Sequence, residues 1–267
     1  MAKLIRIFSN PDVTLPVLGQ MRQARPLVHN ITNFVVMNWT ANVLLAAGAS
    51  PAMVHAPEEA GDFAAIAGAL VINIGTLDAG FVKGMNKAVA SARAHNIPWV
   101  LDPVGVGATA YRQRVCGKLA GLGPAVIRGN AGEIIALAGL GTASGKGVDS
   151  LVGSNQALEA ARALSARTGA VVAVTGETDL VVQGDEVFEI EGGDAMSQAV
   201  TGTGCAATAI IGACLAVAPP LEAAIAGLSL MKAAATRAAK RSEGPGSFAP
   251  AFLDALHALM ARLEPES

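Results

Sequence analysis

The chain has 267 residues, of which 52% are hydrophobic and 15% are charged, and its formal net charge is −2. That length and apolar content suffice to bury a large core, and a single domain over residues 1–267 is expected because no repeat, linker or composition shift marks a boundary. The small net charge leaves no basic face for nucleic acid or an anionic membrane, so small molecules are the expected partners. Charged residues make up about a quarter of an average soluble protein, so their scarcity here indicates that other subunits cover part of the surface.

Short β-branched runs alternate with longer alanine-rich stretches along the chain. Buried parallel strands are predicted at residues 70–74, 98–101, 125–127 and 170–174. Helices are predicted between them, at residues 81–95, 131–138 and 154–168. Residues 180–183 and 187–190 predict an antiparallel hairpin at or near a sheet edge, and helices are predicted at 221–241 and 248–263. This order predicts an α/β fold with a mostly parallel central sheet between two helical layers.

Residues 195–221 carry no charge and are long enough to cross a bilayer. The glycines in this stretch and the Pro219-Pro220 stop favour a buried helix instead. The three cysteines, Cys116, Cys205 and Cys214, share no metal-type spacing, and the N-terminus lacks the apolar core of a signal peptide. These features predict a cytoplasmic protein with reduced thiols.

The segment Val200-Thr201-Gly202-Thr203-Gly204-Cys205 opens directly onto the uncharged helical run. Small residues let backbone N–H groups surround an anion, and the positive end of the helix dipole points at the same place. The loop therefore predicts a phosphate site. Cys205 lies in the first helical turn, where the positive field is expected to lower its pKa and make it reactive. The alternative is a small buried residue that packs the helix start, which is the interpretation given to Cys116 and Cys214.

Polar or glycine-rich clusters follow nearly every predicted strand, at residues 73–76, 102–107, 128–133 and 175–179. Ligands of open parallel sheets gather outside the carboxyl ends of the strands, so these clusters predict one crevice lined by several loops.

Asp102 and Glu133 are the carboxylates expected near a magnesium ion, because Mg²⁺ bound with nucleotide phosphates takes one or two carboxylates. Two alternatives remain open: Asp102 caps a turn before Pro103, and Glu133 is stabilised in the first turn of a helix. Arg128 follows an apolar strand and would be costly to bury unpaired, so it is expected to meet phosphate or to bridge one of these acids.

Two segments resemble known nucleotide-binding motifs, but the spacing of their residues does not match those motifs. Gly141 to Gly147 imitates a P-loop but has one residue too few before Gly-Lys and a glycine after the lysine, so residues 139–147 are interpreted as a flexible surface loop. Gly105-Val106-Gly107 lacks the third glycine of a dinucleotide fingerprint.

The cluster His29-Asn30-Ile31-Thr32-Asn33, with Asn38 close behind, either caps a helix or lines a pocket. Capping needs only one such residue, so a pocket is favoured. His95 and His257 lie on predicted helices and are expected to face solvent.

Taken together, these segments resemble hydroxyethylthiazole kinases, a branch of the ribokinase-like superfamily that phosphorylates the hydroxyethyl arm of a thiazole in thiamine salvage. The resemblance covers nearly the whole chain. It rests on six motifs in order, at residues 26–33, 48–53, 101–107, 127–130, 201–205 and 244–248. Most ribokinase-like enzymes carry an aspartate at the end of the glycine loop, whereas the thiazole kinases carry cysteine, as Cys205 does here.

The resemblance implies a three-layer ribokinase-like fold, ATP as co-substrate, Mg²⁺ and a homotrimer with substrate near the subunit boundaries. By it, Cys205 is catalytic and Asp102 and Glu133 serve magnesium. The residues implied at ATP are Arg128, Thr175, Gly202, Thr203 and Gly204. Those implied at the thiazole alcohol are Met53 and Gly202, with weaker candidates at His29, Asn30, Thr32, Asn33 and Asn38. Thr203 stands where many relatives have alanine, a departure that would narrow the anion site.

Two other functions remain as alternatives. A ribokinase-like enzyme for another heterocyclic alcohol, or for repair of hydrated nicotinamide cofactors, would be expected to have aspartate at residue 205. A nucleotide-sensing regulator would need the phosphate loop but no reactive group beside it.

Overall fold

The computed structural model describes residues 8–139 and 150–263. Its strands are β1 (Leu27–Ile31), β2 (Ser50–Ala52), β3 (Ala69–Asn73), β4 (Trp99–Asp102), β5 (Val126–Asn130), β6 (Val171–Thr175), β7 (Asp179–Gln183) and β8 (Glu186–Ile190). Its α-helices are α1 (Pro11–Ala24), α2 (Met37–Ala47), α3 (Ala60–Ile66), α4 (Ala79–Ala94), α5 (Ala110–Ala120), α6 (Ala131–Ala138), α7 (Ser150–Thr168), α8 (Thr203–Leu215), α9 (Pro220–Ala239) and α10 (Pro245–Met260). Short 3-10 helices lie at Ala195–Ala199 and Ala261–Leu263.

The strands form one sheet in the order β2-β1-β3-β4-β5-β6-β7-β8. The first six are parallel, and β7 and β8 continue the sheet as an antiparallel hairpin. The predicted hairpin at one edge is therefore confirmed, and the carboxyl ends of β1, β3, β4, β5 and β6 meet at one edge of the sheet.

Two hydrophobic clusters lie on opposite faces of the sheet. One packs α1, α2, α8, α9 and α10 against residues such as Val71, Val100 and Val126. The other packs α3, α4, α5, α6 and α7 against Leu70, Ile72 and Leu101. Because side chains alternate along a strand, each central strand contributes to both clusters, as a sheet covered on both sides requires. This is the predicted three-layer α/β/α arrangement.

The uncharged segment at 195–221 contains α8, whose residues Ala206–Leu215 are all buried. Among the described residues, no helix is both long enough and apolar enough to span a membrane. Cys116 and Cys214 are buried free thiols, as their structural interpretation predicts. The glycine-rich segment 140–147 lies outside the described residues, and Gly139 ends α6 in a left-handed conformation.

Candidate active site

A row of polar side chains replaces the apolar row at the carboxyl end of the sheet. The apolar residues that face α8 and α9 on three adjacent strands are Val71, Val100 and Val126. Two positions further along the same strands, and therefore on the same face, come Asn73, Asp102 and Arg128. Asn73 and Asp102 are paired in the sheet register. The two-residue period of the strands thus places the Asn73 amide, the Asp102 carboxylate and the Arg128 guanidinium side by side, next to the N-terminus of α8.

Asp102 is the centre of this row. Its side chain is completely buried, and its Oδ2 accepts hydrogen bonds from Asn73 Nδ2 and Thr208 Oγ1, both at 2.8 Å. Arg128 Nη1 lies 4.0 Å from the same oxygen. Burial raises the pKa of Asp102 to about 6, against the lowering effect of Arg128, while the charge of Glu133 raises it further. These contacts tie Asp102 to β3, β5 and α8, so it does not serve merely as a turn cap before Pro103.

Arg128 bridges an acid, as one of its two predicted roles requires. Besides Asp102, its guanidinium donates a short hydrogen bond from Nη2 to Thr175 Oγ1 on β6. Its Nε is buried and has no hydrogen-bond partner among the described residues. The guanidinium therefore keeps unused donor capacity for an anion.

Gly202 and Gly204 allow α8 to begin directly against this row. Gly202 caps the helix with φ +90°, and a Cβ on it would lie 2.6 Å from Val36 Cγ1. A Cβ on Gly204 would lie 2.8 Å from Arg128 Nη1. Only glycine permits both approaches. The first N–H groups of a helix have no partner within the helix, so the loop presents donors and a positive dipole end beside the Arg128 guanidinium.

Cys205 lies in the first turn of α8, and its Sγ is 3.6 Å from Asn33 Nδ2. Asn33 also donates to Asn73 Oδ1 at 2.9 Å, which links the thiol to the polar row. Burial, with a smaller contribution from the Asp102 charge, raises the pKa of Cys205 to about 11, although hydrogen bonding by Asn73 and Asn33 and the charge of Arg128 act in the opposite direction. The prediction of a lowered pKa is therefore wrong, because desolvation in this crevice outweighs the favourable field.

A cavity of about 510 Å³ opens beside the loop. Its walls include the five residues that the family resemblance implies at ATP, namely Arg128, Thr175, Gly202, Thr203 and Gly204. The hydroxyl of Thr203 donates to Val200 O at 3.0 Å, so it fastens the loop. An apolar wall comes from Ala207 on α8 and from Leu228, Met231 and Ala235 on α9. A polar end beside an apolar wall suits a ligand that carries both phosphates and a flat ring.

Glu133 forms a capping box at the start of α6, as its helix-start alternative predicts. Its Oε2 accepts from Asn130 N, and Asn130 Oδ1 accepts from Glu133 N, both at 2.9 Å. Its Oε1 accepts from Gly105 N in the loop after β4, also at 2.9 Å. The carboxylate is therefore held rigidly between two loops.

The two carboxylates fit a magnesium ion that keeps most of its own water. Asp102 Oδ1 is buried and has no partner in the described part of the chain, so one oxygen is available for a ligand. No group of three or more His, Cys, Asp or Glu residues suited to a metal ion occurs among the described residues. Mg²⁺ is commonly bound by one or two carboxylates together with waters and substrate phosphates, which matches this donor set.

The polar cluster after residue 28 is divided between the two faces of β1. Asn30 is buried on the face of the polar row, and its Oδ1 has no partner among the residues described. His29 is buried on the opposite face, with its ring 5.9 Å from that of Phe63 and its Nε2 2.6 Å from Val54 O. Thr32 and Asn33 are buried just beyond the strand end. The N-cap residue of the following helix is Val36, and no side chain makes a capping hydrogen bond there. The helix-capping alternative for this cluster is therefore wrong.

The remaining thiazole candidates lie further out. Met53 is half-buried after β2 and packs against the core. Asn38 is exposed on α2, and its Oδ1 accepts from Asn42 Nδ2 at 3.1 Å. None of the contacts in the described residues joins Asn38 to the polar row.

Sequence reasoning placed residues 73–76 in the crevice but gave Asn73 no contact with Asp102, and it missed Thr208 and Lys232. Asn73 and Thr208 hold Asp102, and an alternation count along β3 could have placed Asn73 beside it. Lys232 on α9 forms an ion pair with Asp179 at 3.2 Å and donates to Gly176 O and Glu177 O, which fixes the loop after β6. Nothing in the sequence signals that contact, because it joins elements far apart along the chain.

Residues 18–262 match the sequence profile of the hydroxyethylthiazole kinase family. The chain belongs to this family. It is 53% identical over 245 residues to the hydroxyethylthiazole kinase of Citrobacter koseri, covering 91% of this chain and 93% of that one.

Solved structures agree with the assignment to the hydroxyethylthiazole kinase family. The hydroxyethylthiazole kinase of Pyrococcus horikoshii superposes with a TM-score of 0.86 at 42% identity, over 92% of this chain and 93% of that one. A ribokinase-like superfamily protein from Enterococcus faecalis superposes with a TM-score of 0.70 at 15% identity, over 93% and 94% of the two chains. The second likeness concerns the fold alone, and together they show that the chain has the ribokinase-like fold.

Proposed function

We propose that this chain transfers the γ-phosphoryl group of ATP to the hydroxyl of a hydroxyethylthiazole. The observation that carries the proposal is the glycine loop before Cys205, which meets Arg128 at the mouth of the 510 Å³ cavity. The family supports the substrate, since relatives about 53% identical to this chain are hydroxyethylthiazole kinases.

ATP is proposed to occupy the cavity, with its base against the apolar wall from α9. The phosphates would then lie between the Arg128 guanidinium, the Thr175 hydroxyl and the N–H groups from Gly202 to Cys205. The unpartnered Nε of Arg128 supports this placement, because a buried guanidinium N–H without an acceptor is unfavourable until an anion arrives.

Asp102 and Glu133 are proposed to hold Mg²⁺, which when bound would neutralise charge on the phosphates. Phosphoryl transfer depends mainly on in-line positioning and on stabilisation of charge. In this chain, Arg128 and the helix N-terminus supply fixed positive charge, and the Asn73 and Thr208 contacts hold the Asp102 carboxylate still.

Cys205 is proposed to contact the substrate hydroxyl, which it orients or deprotonates. With a pKa of about 11 it is a thiol at neutral pH and orients the hydroxyl in that form, and it can accept a proton only through its thiolate fraction, about 10⁻⁴ at pH 7. An alcohol is itself too weak an acid to lose its proton in advance, so the proton leaves late, as the new O–P bond forms. The thiazole is proposed to lie on the Asn33 side of the thiol, with Met53, Gly202, Asn30 and Thr32 as candidate contacts and His29 and Asn38 as more distant ones.

A homotrimer is also proposed. Phe34 and Val35 follow β1 next to the site and are 58% and 67% exposed, so they offer adjacent apolar side chains that a neighbouring subunit would cover. Light scattering after gel filtration would test this proposal: a mass of three chains supports it, and a monomer contradicts it.

The substrate is tested by measuring ADP release and ³¹P NMR spectra with thiazole alcohol, pyridoxine and hydroxymethylpyrimidine in parallel. A phosphate ester of the thiazole alcohol, formed with much higher kcat/KM than the other two products, is expected. Preference for another alcohol would reassign the substrate. ATP binding without any ester would indicate a nucleotide-sensing protein.

The role of Cys205 is tested by two substitutions. Cys205→Asp is expected to remain active, because a carboxylate can accept the same proton. Cys205→Ala is expected to lose about 100-fold or more in kcat, the usual scale for a general base. Wild-type turnover in Cys205→Ala would exclude a base role.

A further inference from the structure

Arg112 lies in the first turn of α5 and connects two loops at the edge of the proposed site. Its Nη1 donates to Ile74 O at 2.7 Å and to Val104 O at 2.8 Å, and its Nη2 donates to Gly75 O at 2.7 Å. The carbonyls of Ile74 and Gly75 follow β3, and that of Val104 follows β4. One half-buried guanidinium thus joins the ends of two adjacent strands.

The loop after β3 positions Asn73. Gly75 N donates to Asn73 Oδ1 at 2.9 Å, and the same oxygen accepts from Asn33 Nδ2. This leaves Asn73 Nδ2 directed at Asp102 Oδ2. Arg112 donates to the carbonyl of Gly75, and Gly75 N in turn donates to Asn73. Arg112 is thus connected to Asp102 through two hydrogen-bonded residues, Gly75 and Asn73.

The loop after β4 positions Glu133. Gly105 N donates to Glu133 Oε1 at 2.9 Å, and Arg112 holds the preceding carbonyl of Val104. Gly105 has φ +63°, and a Cβ on it would lie 3.8 Å from Arg112 Nη1. The chain therefore turns directly beneath the guanidinium in a conformation that favours glycine.

We propose that Arg112 is a positioning residue for phosphoryl transfer, which sets the distance between Asp102 and Glu133 by clamping the two loops that hold them. The inference rests on the roles proposed above for those carboxylates. The planar guanidinium presents its donors in a fixed fork, which suits three carbonyl acceptors on two loops. A lysine ammonium is a compact charge without that fork, so it cannot hold both loops in the same geometry.

The test compares Arg112→Lys and Arg112→Met with the wild type. The matched control is Arg114→Met, which removes an exposed arginine from the same helix. Three quantities are measured on each full-length protein: kcat with the KM for both substrates, the melting temperature, and hydrogen–deuterium exchange in peptides covering residues 73–76 and 103–107.

In Arg112→Met we expect kcat to fall roughly 10- to 100-fold, because a displacement of about 1 Å in such sites costs up to about 100-fold. Both KM values should stay near those of the wild type, because Arg112 lines neither proposed substrate pocket. Exchange should accelerate in both loops but not across α5. Arg112→Lys should show the same pattern to a smaller extent, and Arg114→Met should match the wild type.

The inference is overturned if kcat per folded molecule is unchanged in Arg112→Met, or if exchange rises in neither loop. Should Arg112→Met fail to fold, Arg112→Lys decides, and wild-type kcat in that variant overturns the inference. If the wild type forms no thiazole phosphate, the proposed function fails instead, and the exchange data still show whether Arg112 clamps the two loops.

Discussion

The ionisation of Cys205 can be tested by alkylation. Burial raises its pKa from an ordinary 9.0 to about 11. Only the thiolate reacts, and its fraction falls tenfold for each unit by which the pKa exceeds the pH. At pH 8, the thiolate fraction of Cys205 should therefore be about 100-fold smaller than that of a cysteine with the ordinary pKa.

The assay follows iodoacetamide labelling of the peptide that contains Cys205 by mass spectrometry, from pH 7 to 10.5, with glutathione as reference. Restricted access slows the reaction equally at every pH, whereas the pKa determines where the rate levels off. We expect the labelling rate to rise about tenfold per pH unit up to about pH 10 without a plateau. The matched variant Asp102→Asn removes a nearby negative charge that raises the thiol pKa, so its curve should shift to lower pH.

Stability should change in the same pH range. A thiol pKa that is higher in the folded than in the unfolded state contributes stability that is complete below pH 9 and is lost as the pH rises through about 11. For Cys205 the loss amounts to about 3 kcal/mol. The total loss should be smaller by that amount in Cys205→Ala, which keeps the buried thiols Cys116 and Cys214, whose pKa values burial also raises. A labelling curve that levels off near pH 7 would refute this account, because it would mean that the helix dipole and Arg128 outweigh burial.

Three further substitutions test the glycine loop, the intrinsic stability of α5 and the capping box of α6. Gly204→Ala should raise the KM for ATP about tenfold or more, because its Cβ would lie 2.8 Å from Arg128 Nη1 and displace the guanidinium from Thr175; an unchanged KM in steady-state kinetics would contradict the close approach. Gly117→Ala, on an exposed position of α5 with no atom within 4 Å of the new Cβ, should raise the free energy of unfolding by about 0.5–1 kcal/mol without altering kinetics. Asn130→Ala should lower that free energy by about 1 kcal/mol in urea titrations, because it removes the side-chain half of the capping box at α6, and wild-type stability would show that Glu133 alone suffices there.

The sequence predicted the parts of the fold that follow from local pattern. The strands around Val71, Val100, Val126 and Val171 are continuous apolar runs, and such runs are typical of parallel strands buried on both faces. By contrast β2 has only three residues, too few for a periodic signal. The strand β1 was missed because two of its five residues, His29 and Asn30, are polar, since the strand ends in the site.

The glycine loop was also readable in the sequence, because small residues before an uncharged helix have few other uses. The sequence likewise presented Asp102, Arg128 and Thr175 after strands, where ligands of parallel sheets gather. It could not give Thr208 or Arg112 a role, since their contacts join residues that lie 106 and 38 positions away.

By itself, the sequence determined which chemical groups reach the carboxyl edge of the sheet, because the two-residue period of a strand and the glycine loop are local properties. The tertiary structure alone decided the state of those groups. Cys205 has a raised rather than a lowered pKa because elements distant in sequence bury it beside Asp102. Desolvation depends on everything packed around an atom, and no local stretch of residues records that sum.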